Sequence, residues 1–93
     1  MFTPTNPIHP GEILREEYMR PLGLNCRELS KMIKVSHSRL FNLTNERISV
    51  SVDMANKLSR CFGGSSLFWI NMQKAYDTQI AKIKQAKLGS SAH

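Results

Sequence analysis

Ninety-three residues are enough for one small domain with a single core. An apolar share of 41% supports folding without disulfides, and a net charge of +6 suits a polyanionic partner. The longest strongly apolar run, Leu67 to Ile70, is too short to span a bilayer, which argues against a membrane protein.

Pro4 and Pro7 mark residues 1–9 as an extended arm. The start, Met1-Phe2-Thr3-Pro4, lacks a basic segment followed by an apolar one, so no secretory signal is expected and the cytoplasm is the predicted location. Pro10 sits where a helix can begin, since its missing N–H does no harm there. The first helix is predicted from Gly11 to Arg20, with Ile13, Leu14, Tyr18 and Met19 inward. Glu12, Glu16 and Glu17 face outward, and Glu16 can pair with Arg20 one turn later. With Arg15 and Arg20 interleaved and no histidine partner, these carboxylates read as a solvated face rather than an acid/base or metal site. Pro21 and Gly23 are expected to end this helix.

Asn25 N-caps a second helix over Cys26 to Ile33, and Ser36 caps a third over His37 to Thr44. Ser51 caps a fourth over Val52 to Phe62, with Met54, Ala55, Leu58 and Cys61 or Phe62 inward; Gly63-Gly64 stops it. Ser65 caps a fifth helix with a broad apolar face of Leu67, Phe68, Trp69, Ile70, Met72, Ala75 and Tyr76. Past Asp77 that face narrows to Ile80, Ile83 and Leu88 among Lys74, Lys82, Lys84 and Lys87. Either the whole stripe is the domain's own core, or part of it is a homodimer seam. In the second case Trp69 belongs to the core, while Met72, Tyr76 and Ile80 face the partner. Gly89 to His93 is expected to be a disordered tail. No segment reads as a strand, so the predicted fold is all-α: a helical domain over residues 10–88.

The apolar spacing from Cys26 to Thr44 is the informative part. Leu29 and Ile33 lie on one helix face, Leu40 and Leu43 on another, and Val35 begins the second period on a new axis. Ser30 is small where two steeply crossing helices must approach. This is the pattern of a helix-turn-helix, whose second helix enters the major groove of DNA. Lys34 occupies the turn position that usually favours Gly, and a positive φ there would cost about 1 kcal/mol. Asn45-Glu46-Arg47 has no Gly after the helix, but Asn45 can adopt the left-handed conformation.

On the third helix, His37, Ser38, Arg39 and Asn42 would project away from the core. Arg can form a two-pronged hydrogen bond to guanine and Asn to adenine, and Ser and His can bond bases or phosphates. Asn45 and Arg47 after the helix, and Arg27 and Lys31 on the second helix, are placed to grip phosphates. The expected ligand is double-stranded DNA carrying an inverted repeat, bound by a dimer.

Ile8-His9-Pro10-Gly11-Glu12-Ile13-Leu14, the helix-turn-helix, and Phe68-Trp69-Ile70-Asn71-Met72-Gln73 followed by Tyr76-Asp77 resemble a HigA-type antitoxin, also called virulence-associated protein I. That family belongs to the Xre-type helix-turn-helix regulators, which include the lambda repressor. The resemblance covers residues 7 to 78, and its two flanking motifs are more specific than the helix-turn-helix. It implies a five-helix lambda-repressor-like domain with a C-terminal helical extension. It also implies a homodimeric antitoxin of a type II toxin–antitoxin system that neutralises a HigB-type mRNA-cleaving toxin and represses its own operon. Two other readings stay open: a stand-alone transcription regulator without a toxin, and a protein-interaction module that has lost DNA binding. An enzyme is not expected. His9, His37 and His93 are scattered, no Cys–His or Ser–His–Asp order stands out, and there is no Gly-rich phosphate loop, so no metal or cofactor is expected. Cys26 and Cys61 read as incidental reduced thiols.

Overall fold

The computed structural model describes residues 7–91, with side chains as far as Lys87. Among these residues the chain is all-α, and five helices follow one another without a strand. Most of the N-terminal arm, residues 1–6, lies outside the described part.

Helix α1 is one continuous run wound in three ways: α-helical over Pro10–Ile13, π-wound over Leu14–Met19, and α-helical again over Arg20–Leu22. Pro21 therefore does not stop the helix as the sequence suggested. Proline lacks an N–H and its ring crowds the carbonyl four residues back, so a tight α-turn ahead of it is unfavourable. The wider π-winding, in which Arg20 N–H reaches back to the Arg15 carbonyl, relieves that crowding. Gly23 ends the helix in the left-handed conformation with φ 66°.

Helix α2 spans Cys26–Ile33, α3 spans His37–Thr44 and α4 spans Val52–Phe62. Each starts on the cap that its sequence advertises. Asn25 accepts from Glu28 N–H while the Glu28 carboxylate accepts from Asn25 N–H, a closed capping box. Ser36 accepts from Arg39 N–H and Ser51 from Met54 N–H. Lys34 turns the chain between α2 and α3 with φ 60°, as expected of a glycine-favouring position filled by lysine. After α3, however, Asn45 keeps a negative φ, and Glu46 adopts the left-handed conformation at φ 63°.

Helix α5 runs over Ser66–Ser91, so it continues through Gly89 to Ser91 where an unstructured tail was expected. Ala92 and His93 lie outside the described residues. At about 1.5 Å per residue, its 26 residues measure roughly 39 Å, and the helix sets the long dimension of the molecule. Among the described residues, no helix is long and apolar enough to cross a membrane.

The core joins all five helices: Leu14 and Met19, Leu29 and Ile33, Leu40 and Leu43, Met54, Ala55 and Leu58, and Trp69, with Val50 from the loop before α4. Trp69 is 1% exposed, with its ring 5.3 Å from that of Tyr18, so it belongs to the domain's own core. Ser30 is buried at the α2–α3 crossing, where its hydroxyl donates to the Arg27 carbonyl and so is not left unsatisfied.

Candidate nucleic-acid interface

Helix α3 buries Leu40, Leu43 and Thr44. At about 100° per residue, Ser38, Asn42 and Asn45 fall on the opposite side, with His37 and Phe41 on one flank and Arg39 on the other. His37, Ser38 and Arg39 are exposed and Asn42 is half-buried. Ser38 is thus free to face a ligand, and His37 stands in the first turn, where helix N–H groups favour an anion. The Arg39 guanidinium donates to Ser51 Oγ at 2.9 Å, which holds it against the start of α4. Asn45 Nδ2 donates to the Phe41 carbonyl at 2.8 Å, so half of its amide is already used. Arg47 is exposed on the following loop, and Arg27 and Lys31 are exposed on α2.

The orientation of α3 is set at its C-terminal end. His9 caps α1, its Nδ1 accepting from Gly11 N–H at 2.9 Å. That bond needs an unprotonated Nδ1, and burial pushes the His9 pKa below 6.5 against the opposing pull of Glu46, the Ile48 carbonyl and Asp77. Gly11 then lies directly on the Leu43 carbonyl; a Cβ at Gly11 would stand 1.8 Å from that oxygen. Only glycine lets the start of α1 approach the end of α3 this closely. Arg15 completes the junction, donating to the Thr44 carbonyl and pairing with Glu46 at 3.6 Å. Hydrogen bonding to the Glu16 carboxylate raises the Arg15 pKa further, so its charge is fixed. The Thr44 carbonyl at the end of α3 is thereby satisfied by α1.

A second strut comes from α5. Gln73 is buried, and its Oε1 accepts from Val50 N–H at 2.8 Å, holding the loop between α3 and α4. Gln73 Nε2 donates to Asp77 at 2.9 Å, which fixes the amide's orientation. The two sequence motifs flanking the helix-turn-helix therefore brace the end of α3 and the loop that follows it, and they meet each other where the His9 and Tyr76 rings touch.

A helix-turn-helix family model matches residues 14–70, which takes in α1 from its π-wound stretch through the first turns of α5. The chain belongs to the helix-turn-helix family. Within that family it is 48% identical over 75 residues to virulence-associated protein I of Dichelobacter nodosus, a match spanning 81% of this chain and 69% of that protein. Its fold is similar to that of the Pseudomonas aeruginosa antitoxin HigA solved with the higBA promoter, at a TM-score of 0.85, 36% identity, and 89% and 90% of the two chains. It is also similar to antitoxin GraA solved in complex with its operator, at a TM-score of 0.84, 34% identity, and 100% and 94% coverage.

The remaining sequence-predicted residues sit on a separate part of this helix-turn-helix protein. Met72, Tyr76 and Ile80 are all half-buried on α5. Met72 packs on the core, and the Tyr76 ring meets the His9 ring edge-on, with centroids 4.7 Å apart. Ile8 from the arm and Met72, Ala75, Tyr76 and Gln79 from α5 line an open groove of about 510 Å³. The two thiols, Cys26 and Cys61, are free, and burial pushes that of Cys61 above its usual pKa of 9.0.

Sequence reasoning assigned no task to Gly11, Arg15, Gln73 or Phe41. For Gly11 and Gln73, the signal was the motif itself: a glycine in a first turn and a glutamine inside an apolar stripe both lack a local explanation, whereas Arg15 lies one residue past the first motif and carried no such signal. Phe41 carried a weaker signal, being the one large apolar residue of α3 outside its buried stripe.

Proposed function

We propose that this protein is a cytoplasmic, DNA-binding antitoxin that acts as a homodimer, represses its own operon and neutralises a HigB-type mRNA-cleaving toxin. The observation that carries this reading is the outward face of α3. Ser38 and Asn42 present hydrogen-bonding groups there, and Arg39 and His37 stand at its flanks. Such groups on a helix braced by its scaffold fit readout of base edges in the major groove. Arg27, Lys31, Asn45 and Arg47 ring that face and supply hydrogen bonds or positive charge to phosphates. Relatives of the same fold solved on operator or promoter DNA support DNA as the ligand. The groove lined by Met72 and Tyr76, with Ile80 further along α5, is the proposed dimer seam; half-sites one turn of DNA apart need two α3 helices about 34 Å apart.

Footprinting on the DNA upstream of the protein's own gene tests the reading. The expected result is protection of an inverted repeat, with affinity falling steeply as salt rises. No protection at low salt defeats it. Co-purification with the product of an adjacent gene encoding a small ribonuclease, with loss of its mRNA cleavage, supports the antitoxin activity; operator binding without any such partner leaves a stand-alone regulator.

A further inference from the structure

Phe41 is 45% exposed on α3, although the other large apolar residues of that helix, Leu40 and Leu43, are fully buried. The ring is not loose. It stacks on His37 one turn earlier, with centroids 6.1 Å apart and planes inclined by 20°. Its backbone is fixed as well, since the Phe41 carbonyl accepts from Asn45 N–H at 3.0 Å, Thr44 Oγ1 at 3.0 Å and Asn45 Nδ2 at 2.8 Å. A rigid aromatic surface therefore stands beside Ser38, Asn42 and Asn45, the polar residues that face away from the core.

We propose that Phe41 is a specificity-determining residue that reads the 5-methyl group of a thymine in each operator half-site; this rests on the DNA-reading role proposed above for α3. In the major groove the thymine methyl is the one methyl group at a base edge; cytosine has only a hydrogen at that carbon beside its N4 amino group, and the purines present N7 with an O6 or N6 group. A phenyl ring pressed against an amino or carbonyl group would strip its water and return no hydrogen bond. Against a methyl, both surfaces lose unfavourable hydration. The His37 ring, stacked against Phe41, holds the aromatic in one position and leaves the His37 nitrogens to a neighbouring base or phosphate.

The test is a thymine-to-uracil scan of the operator duplex, which removes one methyl at a time, read by fluorescence anisotropy for the wild-type protein, F41A and F41L. For the wild type, uracil at one position of each half-site should weaken binding about four-fold, the amount set by one methyl-sized group. F41A should bind the unmodified operator more weakly and lose that sensitivity, while its binding to random DNA and its thermal melting stay close to wild type. F41L, still apolar, should retain part of the sensitivity. A wild-type protein that binds its operator tightly yet tolerates uracil everywhere overturns the proposal alone. So does an F41A variant with undiminished sensitivity. A wild-type protein with no specific operator binding overturns both this proposal and the reading beneath it.

Discussion

The C-terminal end of α3 and its outward face are built on opposite terms. At the C-terminal end the Leu43 and Thr44 carbonyls are met by Gly11 and Arg15, and Gln73 secures the loop a few residues on. These contacts are close and specific, and most are buried. On the outward face Ser38 is exposed and Asn42 half-buried, and neither side chain forms a hydrogen bond among the described residues. One region spends its polar groups on the chain itself, and the other keeps them in reserve. The difference separates positioning from recognition: substitutions at the first should cost stability, and substitutions at the second should cost only affinity.

Gly11→Ala should break the comparison most severely. The new methyl would overlap a backbone oxygen that no rotamer change can move, so α1 and α3 must separate. A loss of about 3 kcal/mol in unfolding free energy is expected from overpacking against rigid backbone, measurable by urea denaturation. A neutral effect would mean that the junction yields easily and does not orient α3. Gln73→Leu should follow, because it leaves the buried Val50 N–H without a partner; the expected loss is about 1–3 kcal/mol. An unchanged melting curve would discount the strut from α5.

At the recognition face, Asn42→Ala should leave thermal stability within experimental error and weaken operator binding by about 1–3 kcal/mol, relaxing the preference at one base pair. Arg27→Ala and Lys31→Ala should instead weaken binding to all sequences, each lowering the salt slope by about one phosphate contact. Equal losses on operator and random DNA for Asn42→Ala would remove it from base reading. The smallest effect expected is one of pH. His9 titrates below 6.5 in the folded protein because burial disfavours its charged form, so the unfolded chain takes up the proton first. Stability should be full above pH 6.5, decline as pH falls from there through the lowered folded value, and level off beneath it. Urea midpoints across that range, compared with His9→Asn, check this. Asn can cap the helix without titrating, so a pH slope that survives the substitution would assign the effect to another group.

Local chemistry was legible in the sequence. Asn25, Ser36 and Ser51 cap the helices that they precede, and Leu29, Ile33, Leu40 and Leu43 fill the core because helical period alone dictates their faces. Lys34 was legible too, since the turn between two crossing helices needs a left-handed residue wherever the sequence provides one. What escaped was non-local. Nothing near Gly11 announces that a carbonyl 32 positions later will press on it, and nothing near Gln73 points to Val50. Pro21 was misjudged because π-winding upstream relieves its usual penalty. Glu46 rather than Asn45 takes the left-handed position, while Asn45 stays at negative φ with its Nδ2 bonded to the Phe41 carbonyl. For the candidate site, residue types and exposure were legible on α3; the tethering of Arg39 to Ser51 depends on where α4 begins relative to α3 and was not.

The turns on either side of α3 bear on how long the molecule survives. Lys34 and Glu46 both hold positive φ without being glycine. Each such residue costs about 1 kcal/mol, a figure partly offset because glycine would enlarge the unfolded ensemble. Every 1.4 kcal/mol multiplies the unfolded population about ten-fold, and it is the unfolded chain that cellular proteases consume. The two bends that aim α3 therefore raise the unfolded population on which proteolysis draws, relative to a relaxed version of the same fold.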